Sequence, residues 1–298
     1  APTAAEWPAV SVVVPTCNRH DALRECLEAL AAQEYPRSRL QVVVVDDGSS
    51  EAPDEALGSV EPQLGVTLLR QDRKGPALAR NRGAEAAQGE YLAFTDDDCR
   101  PAPDWLQCLV ERLLAQPSCV VGGRTVNLLV SNPYASASQL LIDFLYEYHN
   151  GEPTQARFLT SNNLALPAAT FRAIGGFGSA YVRAAAEDRD FSDHCLHAGI
   201  PMVYAPQAIV HHAHRMGLRG FWRQHYHYGR GAAVYHRTHS QRWSAPVRLE
   251  PWAFYWRLLG YPFRRGDLPA PILQALLLGL AQAANAAGFV RQACTWSR

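Results

Sequence analysis

Net charge is the first thing this 298-residue chain lacks: 28 Lys and Arg balance 28 Asp and Glu. Taken as an average, that excludes a uniformly basic binder of polyanions. No Cys-x-x-Cys pair occurs among the seven cysteines, at positions 17, 26, 99, 108, 119, 195 and 294. An odd set lying mostly in apolar runs predicts reduced thiols packed as small hydrophobes, in a reducing compartment. Internal repeats and low-complexity tracts are missing apart from a richness in Ala, which excludes solenoids and disordered chains. Residues Ala1 to Pro8 offer no charged flank followed by an apolar stretch, so no signal peptide is expected.

What is present is an ordinary globular composition, 48% apolar and 19% charged, enough for one large domain or two small ones. The zero average also hides an asymmetry. Residues 1–210 carry 16 basic and 26 acidic side chains, whereas 211–298 carry 12 Arg against only Glu250 and Asp267. The two parts face different electrostatic tasks.

The first 125 residues alternate between two periodicities. Apolar runs at Val10–Val14, Gln41–Val45, Val66–Leu69, Tyr91–Phe94 and Cys119–Val121 read as strands. Between them, Asp21–Glu34, Pro76–Gln88 and Asp104–Gln116 carry apolar residues at helical spacing. Near-continuous apolar strands separated by helices predict an α/β fold, a mostly parallel sheet covered by helices on both faces. Further on, Asp190–Gly199 reads as a helix ended by glycine and Met202–Tyr204 as a short strand. In such sheets ligands bind beyond the carboxyl ends of the strands.

Those ends are polar in a repeated way: Pro15-Thr16-Cys17-Asn18-Arg19, Asp46-Asp47-Gly48-Ser49, and Thr95-Asp96-Asp97-Asp98. Five carboxylates on one rim repel one another unless a cation sits among them, most simply a divalent metal. In an extended segment Asp96 and Asp98 share a face while Asp97 points away. A carboxylate pair suits Mg²⁺ or Mn²⁺; a cluster capping the following turn is the other reading. Asp47-Gly48 is either a ligand for a nucleoside or a plain turn dipeptide. Arg73-Lys74-Gly75-Pro76, ahead of Arg80 and Arg82, is either a phosphate cradle or a solvated basic turn.

Together these segments, VSVVVPTCNR at 10–19, VVVDDGS at 43–49, KGPALARNRG at 74–83 and FTDDDCRPAPDWL at 94–106, resemble the inverting glycosyltransferases of family 2. Weaker likenesses continue through Ser161-Asn162-Asn163, Gly175-Gly176-Phe177, Glu187-Asp188, His212 with Arg215, and Tyr228-Gly229-Arg230-Gly231. The resemblance implies the Rossmann-like GT-A fold over 8–240, with a nucleotide-sugar half at 8–125 and an acceptor half at 126–240. It implies a nucleotide-diphosphate sugar as donor (UDP-, GDP- or dTDP-linked). Pro15, Thr16, Asn18, Asp47 and Lys74 then face the nucleoside, with Asp96 and Asp97 beside the donor. Asp98 and His212 hold Mg²⁺ or Mn²⁺, with His211 and His214 as rivals for the imidazole. Asp188 is the general base, and its neighbour Glu187 raises its pKa; carboxylates starting a helix are the plainer account of this pair. Three histidines so close also raise zinc, though a Cys or a further His at helical spacing is missing.

Residues 241–298 read as a basic, aromatic, helical extension. From His211 to Arg248 seven Arg and seven His occur without one acid, interleaved with aromatics. That composition points to an anionic membrane surface or to a solvated face beside an acidic domain; no nucleic-acid module is present, so nucleic acid is not expected. Pro271–Val290 is long enough to span a bilayer but carries Gln274, Gln282 and Asn285, so it reads as a docking helix. The expected location is cytoplasmic, peripheral at the inner face of the membrane. Processive relatives carry Gln-x-x-Arg-Trp and several spans; here Arg242-Trp243 is preceded by His239 in place of Gln. Transfer of one sugar to a saccharide or lipid-linked acceptor is therefore expected. The rivals are a non-catalytic nucleotide-sugar binder and a nucleotidyltransferase, which wants a Gly-rich loop after the first strand.

Overall fold

The computed structural model describes residues 7–58, 60, 64–181, 185–244, 246, 250–266 and 268–296. Arg248 and Asp267 of the tail and the first six residues lie outside them. The elements are β1 (Val10–Thr16), α1 (His20–Ala31), β2 (Leu40–Asp47), α2 (Asp54–Gly58), β3 (Val66–Gln71), α3 (Pro76–Ala86), β4 (Tyr91–Phe94) and β5 (Cys99–Pro101). There follow α4 (Trp105–Ala115), β6 (Val120–Asn127), α5 (Pro133–His149), β7 (Leu164–Pro167), α6 (Ala168–Ala173), α7 (Glu187–His197) and β8 (Met202–His212). Three helices close the chain: α8 (Leu218–Trp243), α9 (Trp252–Arg264) and α10 (Pro271–Cys294).

Eight strands form one sheet in the order β3-β2-β1-β4-β7-β6-β8-β5. The first four are parallel, β6 and β8 are parallel, and β7 and β5 run against their neighbours. Alternation along each strand builds two cores. Val12, Val14, Val42 and Val44 pack with Leu23, Leu27, Trp105 and Leu109 from α1 and α4. Val13 and Phe94 turn to the other face, where Phe171, Phe177 and Phe191 stack against them. This is the two-sided α/β sheet expected from the apolar runs.

Register fixes where the polar ends emerge. Thr16 lies opposite Asp46, and Val13 opposite Phe94, so the loops after β1, β2 and β4 open on the same rim. Pairing of β5 with β8 puts Cys99 opposite His212, which carries that imidazole from late in the chain to the side of Asp98.

The structure departs from the sequence reading in its second half. The expected short strand at Met202 runs on to His212, because β6 and β5 both pair with it. The helix expected from Asp190 starts at Glu187 and ends where Gly199 takes φ +69°. Helices α5 and α8 and strand β7 have no counterpart in the sequence reading. The boundary expected at residue 240 falls inside α8, and α10 lies along α8, α5 and α9. Close approach explains the glycines: a Cβ on Gly229 would sit 1.8 Å from the Asn285 carbonyl oxygen, and one on Gly288 1.9 Å from that of Tyr226. Helix α10 is long and apolar enough to cross a membrane by length and composition. Here its Leu277, Leu278, Ala281 and Ala284 face packs inward, while Ile272, Leu273 and Leu276 are exposed.

Candidate active site

The rim acids find cations within the chain itself. Arg70 pairs with Asp46 at 3.0 Å, Arg80 with Asp96 at 2.5 Å, and Arg19 with both Asp97 at 3.2 Å and Asp98 at 2.5 Å. The chain supplies its own counter-charges, because Arg19 and Arg80 reach the strand ends from the loop after β1 and from α3.

Of the residues expected at the nucleoside, Pro15 and Thr16 are buried, and Thr16 Oγ1 donates to Asp97 Oδ2 at 2.8 Å. Asp97 is fully buried and faces Thr16 and Arg19, so it does not reach the cleft. Burial, with Asp98 beside it, pushes its carboxyl up to about 7 despite Arg19. Asn18 is exposed and takes φ +55°, accepting from Ser50 N and Oγ at 2.9 Å, which ties the two loops together. Asp47 accepts from Gln71 Nε2 and from the backbone N–H groups of Lys74 and Gly75 at 2.7–2.8 Å. It therefore holds the loop ahead of α3 through the Lys74 and Gly75 N–H groups, while the Lys74 side chain is exposed.

Asp96 and Asp98 do not act as one pair. Asp96 turns to Arg80, whereas Asp98 lies 3.2 Å from His212 Nε2. Burial alone would raise the Asp98 carboxyl, but His212 and Arg19 outweigh it and hold it below the usual range; Asp98 in turn raises His212 against its own burial. Ligand atoms of Asp98, Cys99 and His212 fall within 4.8 Å of one another. His214 stacks on His212 at 4.6 Å, and His211 lies opposite Arg100 in the β5–β8 pairing, so His212 is the imidazole nearest Asp98 among the three. A carboxylate beside an imidazole fits Mn²⁺ well and Mg²⁺ acceptably, with phosphate oxygens completing the shell.

Across the cleft, Glu187 and Asp188 open α7. Arg80, 2% exposed, links them to the rim: its Nη1 reaches Glu187 Oε1 at 3.2 Å while Nη2 holds Asp96. Sequence reading placed this arginine only in a phosphate turn; a cation inside a helix, flanked by Ala, was the available signal. Glu187 also accepts from Ala185 N at 2.7 Å, and Ala186 takes φ +66°, a conformation costing about 1 kcal/mol outside glycine. The pair thus starts the helix, as the plainer account has it, while lining the cleft. Burial first, then Glu187, raises Asp188 to about 7. The like charge of Glu187 acts as expected, behind the larger effect of burial. Tyr228 of α8 lies near Asp188, Glu187 and Asp96, and burial with those charges keeps its phenol protonated.

The far end of α8 holds α7 in place. Arg242 pairs with Asp190 at 3.0 Å and with Asp193, Trp243 Nε1 donates to Asp193 at 2.9 Å, and His239 Nδ1 lies 2.8 Å from the same carboxylate. The Arg-Trp pair and the histidine standing where Gln was sought therefore work as a latch within the chain. Asp96, Arg80, Glu187, Asp188, His212 and Tyr228 all line one cleft of about 1000 Å³.

Residues 11–186 match the family described as Glycosyl transferase family 2. The chain is 28% identical over 273 residues to the pre-mycofactocin glycosyltransferase of Mycobacterium tuberculosis, covering 90% of this chain and 56% of that protein. It is 30% identical over 248 residues to validoxylamine A glucosyltransferase of Streptomyces hygroscopicus, covering 71% of this chain and 54% of that protein. The chain thus spans about half the length of these relatives. Among solved structures, the mannosyltransferase PcManGT of Pyrobaculum calidifontis, in complex with GDP-Man and Mn²⁺, matches with TM-score 0.67 at 23% identity, covering 98% of this chain and 89% of that one. S. aureus TarS with UDP-GlcNAc matches with TM-score 0.56 at 18% identity, covering 97% and 91%. These two share the GT-A fold with this chain.

Proposed function

The chain belongs to glycosyl transferase family 2, and from that premise we propose that it moves one sugar from a nucleotide-diphosphate sugar to an acceptor hydroxyl with inversion. The observation that carries this reading is the Arg80 clamp. One buried guanidinium pairs with the rim acid Asp96 and with Glu187, the neighbour of Asp188, in the same cleft. Asp188 takes the proton as the acceptor oxygen bonds to C1. The C1–O bond to the diphosphate breaks, and its electron pair leaves with the nucleoside diphosphate. A base poised near pH 7 is suited to that transfer, worth typically about 10²–10⁴ in rate. Tyr228 and Arg80 stay protonated or charged beside it and orient what enters.

Asp98 and His212 would hold Mn²⁺ or Mg²⁺, which when bound offsets charge on the departing diphosphate. On this reading Asp96 and the exposed Asn18 and Lys74 contact the donor nucleotide, while Thr16, Asp47 and Asp97 support the loops after β1, β2 and β4. A UDP-, GDP- or dTDP-linked donor is equally compatible with these contacts. Asp188→Asn is expected to lower turnover by about 10²–10⁴ while donor affinity changes less than about twofold. Turnover retained in that variant ends the assignment of the base.

The α9–α10 surface supports a second part of the reading, peripheral contact with an anionic leaflet. Trp252, Trp256, Phe263, Ile272 and Leu276 are exposed there, with Arg257 and Arg264 alongside. Binding to anionic but not neutral liposomes, weakened by salt, is expected in a sedimentation assay; indifference to anionic liposomes at low salt rejects it.

A further inference from the structure

The cleft does not stop at Asp188. It continues along a wall made by Ile142 and Leu145 of α5, Phe254 and Tyr255 of α9, and Phe289 and Val290 of α10. Polar groups share the lining: Ser138, Gln139, Asn162 and Gln224 face the same space as Asp188 and Asp96, and Gln282 and Asn285 of α10 precede Phe289 along it. The acids that share this lining away from Asp188 are paired, Asp193 with Arg242 and Glu250 with Arg189. Burial, with Arg189 nearby, pushes His149 and His236 down to about 4, so both are neutral at pH 7. Arg189 itself is paired with Glu250 at 3.6 Å and stacked over Tyr235 at 4.4 Å. Arg157 stands exposed at the rim.

A saccharide laid along this wall would turn hydroxyls toward Ile142, Leu145 and Phe289, which return no hydrogen bond, at a cost of about 1–3 kcal/mol for each hydroxyl left unpaired. An apolar body has no such penalty and covers side chains that otherwise face water, Val290 being 59% exposed. Continuity of that wall with Asp188 in one cleft sets the shape of the occupant: a hydroxyl at the carboxylate, an elongated apolar portion behind it.

We propose that the acceptor is an amphiphile whose apolar body lies in the arm between α5, α9 and α10, so that the C-terminal helices form half of the acceptor site. The identity of the arm as an acceptor site rests on the transfer reading of Asp188; its affinity for an apolar body does not.

The test uses the full chain without donor or metal. Binding of n-alkyl β-D-glucopyranosides from butyl to octyl, each below its micelle concentration, is followed by calorimetry. The dissociation constant is expected to fall by about fourfold for each added methylene. Val290→Asn, at an exposed position that tolerates change, and Phe289→Ser should flatten that dependence. Trp256→Ser, 74% exposed and outside the cleft, should leave it intact. An affinity independent of chain length overturns the proposal, as does a slope that survives Phe289→Ser and Val290→Asn. A slope lost in Trp256→Ser also overturns it, by moving the binding to the outer aromatic face. None of these outcomes bears on turnover, so the arm and the base fail or stand separately.

Discussion

On the strand-end side of the cleft, each acid singled out in the sequence is matched by a cation or donor of the same chain: Arg70, Arg19, Arg80, His212, or the N–H groups ahead of α3. On the helical side, cohesion comes from backbones pressed together. Gly229 and Gly288 let α8 and α10 touch, and Gly231 lets α8 lie on the Ala185 carbonyl, just ahead of Glu187. One side is held by ion pairs and hydrogen bonds, the other adds close backbone contacts to the Arg242 latch, and they should break differently.

The largest effect is expected where the two sides meet. Replacing Arg80 with Met leaves Asp96 and Glu187 facing each other without their shared cation, a loss of about 3–5 kcal/mol in urea unfolding at pH 7. Arg80→Lys, which keeps the charge but reaches only one partner at a time, should lose less. Equal losses in Met and Lys would mean that shape, not charge, is what Arg80 supplies.

A smaller effect separates contact from helix propensity on the helical side. A Cβ at Gly231 would come within 2.3 Å of Ala185 O, whereas one at Gly260, in α9, meets nothing within 4 Å. Gly231→Ala should therefore destabilise by about 1–3 kcal/mol. Gly260→Ala should be neutral or stabilise by up to about 1 kcal/mol. Thermal melts of the two variants that shift in the same direction would refute the close-approach account of α8.

The same contrast explains what could be read in advance. Strands β1, β2 and β4 are legible because burial on both faces forces unbroken apolar runs, and their order places the acids on one rim. Helix α5 announces itself through Asn132, whose side chain accepts from Tyr134 and Ala135 N–H groups, followed by Pro133. That signal is obscured by the irregular segment around it. Helix α8 buries Phe221, His225, Gly229, Gly231, Ala233 and Tyr235, a face made of small and polar residues that no apolar stripe reveals. Strand β5, three residues long, owes its existence to pairing with β8 and has no local signature. The role of Arg80 lies in a contact between residues 107 positions apart, which spacing along a chain does not encode.

The sharpest test concerns Asp188 without any substrate. An unfolded Asp titrates near 3.9, and in the folded chain burial and Glu187 raise this one to about 7. Below about pH 4 both states hold the proton, and Asp188 contributes nothing to the balance. As pH rises from 4 to 7 the unfolded chain ionises at this position while the folded chain resists, so stability is lost across that window and then levels. Asp188→Asn removes the resistance. Its melting temperature should equal that of the unsubstituted chain near pH 4 and exceed it progressively up to pH 7. A variant less stable at pH 8 than the parent would show the carboxylate to be a structural anion paired at the start of α7, and would bring this acid back into the company of Asp46 and Asp47.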